Sequence, residues 1–230
     1  MNEEAGFSIA TYTGSTASGA LTVGHGLGKK PAWVIIKRRD DTGDWIIGHQ
    51  GLATNAFANN KFVKFDNQSV YTNSLVWGAE PTTTVTQIVT NGAGGASNLT
   101  SSGTYVMYSW AEIPGYSAFG SYTGNGNSDG TYVHLGFRPA WVLIDNYGAG
   151  GFNWVLQDNK RSPSNLCDNK LNPDSNAVEQ TDADKLDMLS SGFKPRVSDA
   201  GINAGGSSYI YMAFAEQPGG TSFDTFPNAR

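Results

Sequence analysis

Short apolar and aromatic runs bounded by polar residues recur along this chain, most clearly over Tyr105-Val-Met-Tyr-Ser-Trp-Ala-Glu112, and suit strands, whose side chains alternate between two faces. In a strand, Tyr105, Met107, Ser109 and Ala111 share one face and Val106, Tyr108, Trp110 and Glu112 the other. Both faces are largely apolar or aromatic, the pattern of a strand covered on both sides. Ala32-Trp-Val-Ile-Ile36 and Ala140-Trp-Val-Leu-Ile144 also read as strands, each opened by a proline, Pro31 or Pro139, at a position a strand start tolerates. Turn residues separate such runs. Asn125-Gly126 and Ser128-Asp129-Gly130 predict a hairpin loop, and Asn91-Gly92 with Gly94-Gly95 predicts another turn. The best helical stretch is Ala183 to Leu189, with Thr181 or Asp182 as cap and Ser190-Ser191-Gly192 as its stop.

These blocks occur twice. Phe7-Ser-Ile-Ala-Thr-Tyr-Thr-Gly14 returns as Phe119-Gly-Ser-Tyr-Thr-Gly124, and Gly28-Lys-Lys-Pro-Ala-Trp-Val-Ile-Ile36 as Gly136-Phe-Arg-Pro-Ala-Trp-Val-Leu-Ile144. Asp44-Trp-Ile-Ile47 returns as Asn153-Trp-Val-Leu156, and Tyr105 to Pro114 as Tyr209 to Pro218. An offset of about 105 residues is domain-sized, whereas solenoid and propeller units run to about 20–50 residues. The expected architecture is all-β, with two tandem β-sandwich-like pseudo-repeats of about 105 residues packed together. Their expected spans are residues 1–115 and 116–230, joined near Gly115 to Ala118.

Composition supports that class. The 29 glycines, 12% aromatic and 15% charged content describe short strands and tight turns. The net charge of −5 and an isoelectric point near 5.1 argue against nucleic-acid binding. The basic cluster Lys29, Lys30, Lys37, Arg38 and Arg39 is followed at once by Asp40, Asp41 and Asp44, and reads as a solvated strand end. No apolar run approaches the ~20 residues of a membrane-spanning helix, so membrane insertion is not expected. Met1-Asn-Glu-Glu4 lacks the basic segment and apolar core of a secretory signal. Cys167, alone in the sequence, has no partner for an intrachain disulfide.

Catalytic signals are weak, and no catalytic residue, metal or cofactor is expected. His25, in Gly24-His-Gly-Leu-Gly28, lacks the Gly-Lys-Ser/Thr ending of a phosphate loop, and with His134 it reads as a turn or packing residue. The histidines and Cys167 show no zinc-type spacing. Asp40-Asp-Thr-Gly-Asp44 and Asp182-Ala-Asp-Lys-Leu-Asp187 carry oxygen ligands without the closing glutamate of a calcium loop. Glu112 and Glu216 close equivalent strands and invite a glycosidase reading, which requires two carboxylates about 5 to 10 Å apart. Matching positions in separate copies, each two residues ahead of Pro114 or Pro218, favour a structural role.

Positions alike in both copies answer a shared requirement, most simply the scaffold. Trp33 and Trp141, Trp45 and Trp154, and Trp110 and Phe214 therefore read as core. The copies diverge most over Gly51 to Thr84 and Asn159 to Asp187. The first stretch sets Phe57, Phe62, Phe65, Tyr71 and Trp77 among amides and hydroxyls, a mixture suited to stacking on sugar rings and bonding their hydroxyls. Core packing is the competing reading. The candidate ligand-binding residues are Tyr71, Trp77, Asn73 and Lys61.

Phe119-Gly-Ser-Tyr-Thr-Gly-Asn-Gly126, Gly136-Phe-Arg-Pro-Ala-Trp-Val-Leu-Ile144 and Gly205-Gly-Ser-Ser-Tyr-Ile-Tyr-Met-Ala-Phe-Ala-Glu216 together resemble the repeated C-terminal receptor-binding region of tail fibres of tailed phages, of the marine and cyanobacterial type. The resemblance covers about residues 7 to 218 and rests on scaffold motifs. It implies a virion protein, a homotrimer, that binds a host surface glycan such as lipopolysaccharide, or an outer-membrane receptor, and contacts other tail and fibre proteins. A structural or adaptor role in the tail is the alternative, and a glycan depolymerase a weaker one.

Overall fold

A computed structural model describes residues 2–15, 20–65, 70–71, 76–89 and 102–217. The chain divides into two compact units, Met1–Glu112 and Ile113–Arg230. Nearly all regular structure in both is antiparallel strand, and the one helical element among the described residues is a 3-10 turn at Leu52–Thr54.

The N-terminal unit contains β1 (Phe7–Thr13), β2 (Ala20–Gly24), β3 (Trp33–Arg38), β4 (Trp45–His49), β5 (Val63–Lys64), β6 (Val85–Val89) and β7 (Thr104–Trp110). Its main sheet runs β1-β7-β3-β4-β5, and β2 pairs with β6 in a second layer. The period-two pattern of β7 becomes a burial pattern: Tyr105, Met107 and Ser109 are buried while Val106, Tyr108 and Trp110 are only half-buried. Val34, Ile36, Ile46, Tyr105 and Met107 meet Phe57, Phe62, Trp77 and Ile88 in one core between the layers. Burial of this kind stabilises by roughly 25 cal/mol per Å² of apolar surface.

The C-terminal unit contains β8 (Ser117–Thr123), β9 (Val133–His134), β10 (Trp141–Asp145), β11 (Val155–Asp158), β12 (Leu186–Leu189), β13 (Gly192–Pro195) and β14 (Ser208–Phe214). One sheet runs β8-β14-β10-β11 and the other β12-β13-β9. The first has the same order as β1-β7-β3-β4. Its register agrees as well, with Trp141 opposite Phe214 where the other unit sets Trp33 opposite Trp110. Val142, Ile144, Tyr211 and Ala213 meet Leu186, Met188 and Phe193 in its core.

Two expectations change. Ala183 to Leu189 is not helical. Leu186–Leu189 is a strand on β13, entered through left-handed backbone at Asp182 and Asp184 (φ 57° and 44°), and its apolar residues insert into the core instead of lining a helix face. The loop at Asn125 to Gly130 is not a hairpin, because β8 and β9 lie in different sheets. Fully buried Asn203 pins that loop, donating from Nδ2 to Asn125 Oδ1 (3.0 Å) and Asn127 O (2.7 Å), and this directs the chain across to the second layer. Gly115 lies in a turn closed within the C-terminal unit, where Tyr116 N and Ser117 N donate to Ile113 O at 2.9 Å. The turn expected at Asn91 to Gly95 lies outside the described residues.

Candidate functional site

The side chains proposed for binding from the sequence lie in the N-terminal unit. Trp77 is fully buried: its ring meets Phe57 edge-on at 5.0 Å and its Nε1 donates to Lys61 O at 2.9 Å. Its indole is a core element whose faces are covered by protein. Tyr71 is half-buried, stacked on Phe62 at 5.1 Å with Lys64 Nζ 4.6 Å from its ring centre. Backbone bonds between Phe62 and Tyr71 and the bond from Trp77 to Lys61 gather these three positions into one layer over the core. Asn73 lies outside the described residues.

The matched tryptophans do not share one fate. Trp33 and Trp154 are fully buried, and Trp110, Trp141 and Phe214 are half-buried. Trp45 corrects the expectation of a core residue. It is 39% exposed because β4 begins there at the rim of the sheet, where its ring stacks on Tyr108 at 6.2 Å and meets Phe65 edge-on.

The groups considered for catalysis are occupied otherwise. Buried His25 accepts the Leu27 N–H at Nδ1 (3.2 Å) and approaches Thr82 O through Nε2, and burial lowers its pKa. His134 is exposed beside Tyr132. Glu216 is exposed and ion-paired to Lys160, while Glu112 is exposed in the other unit. In the acidic stretches, Asp40 and Asp41 pair with Arg38, Asp44 with Lys64, Asp182 with Lys185, Asp184 with Lys170 and Asp187 with Arg196.

A polar cleft of about 250 Å³ lies in the C-terminal unit, beside β11. Phe152, Asn153, Lys170, Asn172, Gln180 and Asp199 supply its side-chain chemistry. Each is placed by local structure. Gly150 and Gly151 take positive φ (63° and 74°) and turn the loop that carries Phe152 and Asn153. Leu171 bonds the backbone of Leu156, and Lys170 and Gln180 exchange backbone bonds of 2.9 and 3.0 Å, so the divergent segment forms one wall. Buried Asn172 donates from Nδ2 to Trp154 O at 2.7 Å, which leaves its Oδ1 as an acceptor. Asp199 Oδ1 accepts the Gly201 N–H at 2.7 Å.

Behind that wall stands Asp184, its side chain 2% exposed and ion-paired to Lys170. Burial raises the Asp184 pKa, Lys170 opposes the rise, and the neighbouring carboxyl of Asp199 adds to it. Gly201 makes room for this pair, since a methyl there would lie 2.8 Å from Asp184 Oδ1 and 3.2 Å from Asp199 Oδ1. Gln157 Nε2 ties the segment to β11 by donating to Cys167 O (3.0 Å) and Asp184 O (2.9 Å). The cleft therefore offers an aromatic ring, three amides, a carboxylate and an ion-paired ammonium on a scaffold fixed by buried hydrogen bonds.

Residues 1–218 match the domain of unknown function DUF7483. The chain belongs to this family. No curated protein and no solved structure matches it. The DUF7483 match runs through both units and includes every residue of the cleft. The aromatic residues of Gly51 to Thr84 point to the N-terminal unit and not to this cleft. The divergence of Asn159 to Asp187 was the available signal for the cleft, because Lys170, Asn172 and Gln180 come from that stretch.

Proposed function

We propose that the chain is the receptor-binding part of a phage tail fibre and that it recognises a host surface glycan, without catalysis, through the cleft of the C-terminal unit. The observation that carries this reading is the grouping of Phe152 with Asn153, Asn172, Gln180, Asp199 and Lys170 around one small cleft. An aromatic ring takes the apolar face of a sugar, and fixed amide and carboxylate groups bond its hydroxyls. At about 250 Å³ the cleft is below the ~300–1,000 Å³ of drug-sized sites and suits one sugar residue of a longer chain. The resemblance of its scaffold motifs to those of tail fibres supports the biological setting.

In this reading the working particle is a homotrimer in the virion. One weak site per copy gains avidity from three tethered copies facing a repetitive surface. Other tail proteins hold the fibre in place. The test is a glycan array and a host-cell adsorption assay with the assembled protein and its Phe152→Ala and Asn172→Ala variants, with folding checked by circular dichroism. Binding by the parent protein that falls at least tenfold in folded variants supports the reading. Absence of cell and glycan binding by the assembled parent removes it, and light scattering that gives a monomer removes the trimer.

A further inference from the structure

We infer that the cleft selects sugars without an anionic substituent, binding neutral hydroxyl-rich rings in preference to uronic, sialic or phosphorylated ones; this rests on the glycan-binding reading above. Charge is the first reason. Lys170 is the one cation among the described residues lining the cleft, and it is already paired with buried Asp184. Asp199, whose carboxyl lies in the lining, stands beside Asp184: a methyl on Gly201 would lie 2.8 Å from Asp184 Oδ1 and 3.2 Å from Asp199 Oδ1. Two carboxyl groups thus stand against one ammonium. With either carboxyl protonated the set is neutral, and with both ionised it is negative. In neither state does it hold an uncommitted positive charge for a ligand carboxylate or phosphate, which would lose its hydration without replacement.

Hydrogen-bond capacity is the second reason. Asn172 has spent one N–H on Trp154 O and keeps its oxygen and its other N–H. Asp199 has spent one oxygen on Gly201 N and is an acceptor at the other when ionised. Gln157 Nε2, on neighbouring β11, has spent both of its N–H groups on Cys167 O and Asp184 O. Acceptors left on the buried side of the cleft therefore ask for donors, and sugar hydroxyls supply them where a ligand carboxylate does not. The exposed amides of Asn153 and Gln180 complete the rim and bond in either sense. The half-buried ring of Phe152 takes the apolar ring face in either class and does not discriminate.

Saturation-transfer NMR on the full chain tests this, with methyl galactoside, methyl glucoside and methyl mannoside as neutral probes and galacturonate and glucuronate as acidic ones. The expected result is binding of at least one neutral probe at least tenfold tighter than its acidic counterpart, with Asp199→Asn and Gln180→Ala each weakening it. The second variant changes an exposed side chain and guards against a folding defect in the first. Tighter binding of an acidic probe, or neutral binding untouched by both variants, overturns the inference while leaving glycan recognition standing. Failure of every probe, together with an empty glycan array and no adsorption to host cells, overturns both.

Discussion

Tyr122 stacks on Tyr209 directly across the β8–β14 ladder, with ring centres 4.8 Å apart and planes 13° from parallel. Tyr12 and Tyr105 repeat the arrangement across β1–β7 at 5.0 Å and 20°. The C-terminal pair is the better anchored. Tyr122 donates to Ile202 O at 2.6 Å, while Tyr209 donates to Ala200 O and accepts the Ala204 N–H at 2.7 Å. Burial raises the pKa of both phenols, so they remain neutral donors at physiological pH. Tyr122→Phe keeps the stack and strands a buried carbonyl. The expected loss is about 1–2 kcal/mol in urea unfolding, and an unchanged midpoint would show that the bond contributes nothing.

Asp145 offers a test of pH dependence. It is fully buried, and neither carboxylate oxygen has a hydrogen-bond partner among the described residues. Burial first and the charge of Asp174 second push its pKa well above the ordinary carboxylate range. The folded state therefore binds this proton more tightly than the unfolded chain, whose carboxyl titrates near ~3.9. Stability contributed here is present below that value and falls as pH rises toward the folded-state pKa. Asp145→Asn removes the penalty. It is expected to stabilise the protein by about 1–3 kcal/mol at pH 7, with the gain shrinking toward pH 4 in paired denaturant titrations.

Gly48 is a packing requirement. It lies on β4 opposite Val34, and a methyl at its Cα would stand 2.5 Å from both Phe57 Cε1 and Trp77 Cζ2. Neither ring can withdraw, because Phe57 and Trp77 are held edge-to-face within the core. Gly48→Ala should cost about 1–3 kcal/mol through overpacking. Thermal unfolding followed by tryptophan fluorescence measures it, and a midpoint equal to the parent's would mean that the layer over β4 gives way freely.

Cys167 is buried, and its pKa is pushed up to about 11 by that burial and by the charge of Asp187. At pH 8 only about one thiol in a thousand is ionised. Native protein should resist iodoacetamide for hours and react once unfolded in urea. Stoichiometric labelling of the native chain within minutes would contradict this placement.

Much of the scaffold was legible in the residues. Ala32 to Ile36, Ala140 to Ile144 and Tyr105 to Glu112 lead directly to β3, β10 and β7, because strand periodicity is local and each run carries its own signal. That Trp141 faces Phe214 as Trp33 faces Trp110 is a register that the tertiary structure supplies. Local pattern failed where a longer-range contact decided. Leu186–Leu189 has the composition of a helical turn, yet its bonds to β13 and its place in the core make it a strand. Trp45 and Trp154 occupy matching motifs, but one is at an exposed rim and the other is enclosed.

By itself, the sequence determined the all-β class, the principal strands and the segment from Asn159 to Asp187 as a place of divergence, because these follow from composition, period and order along the chain. Only the tertiary structure decided the cleft. Phe152, Lys170, Gln180 and Asp199 are far apart in sequence and carry no shared motif. Their meeting depends on backbone bonds between Leu156 and Leu171, on the side chain of Gln157 and on the ion pair of Lys170 with buried Asp184. Such contacts join segments whose encounter costs loop-closure entropy that the whole fold must offset, so no local stretch of sequence announces them.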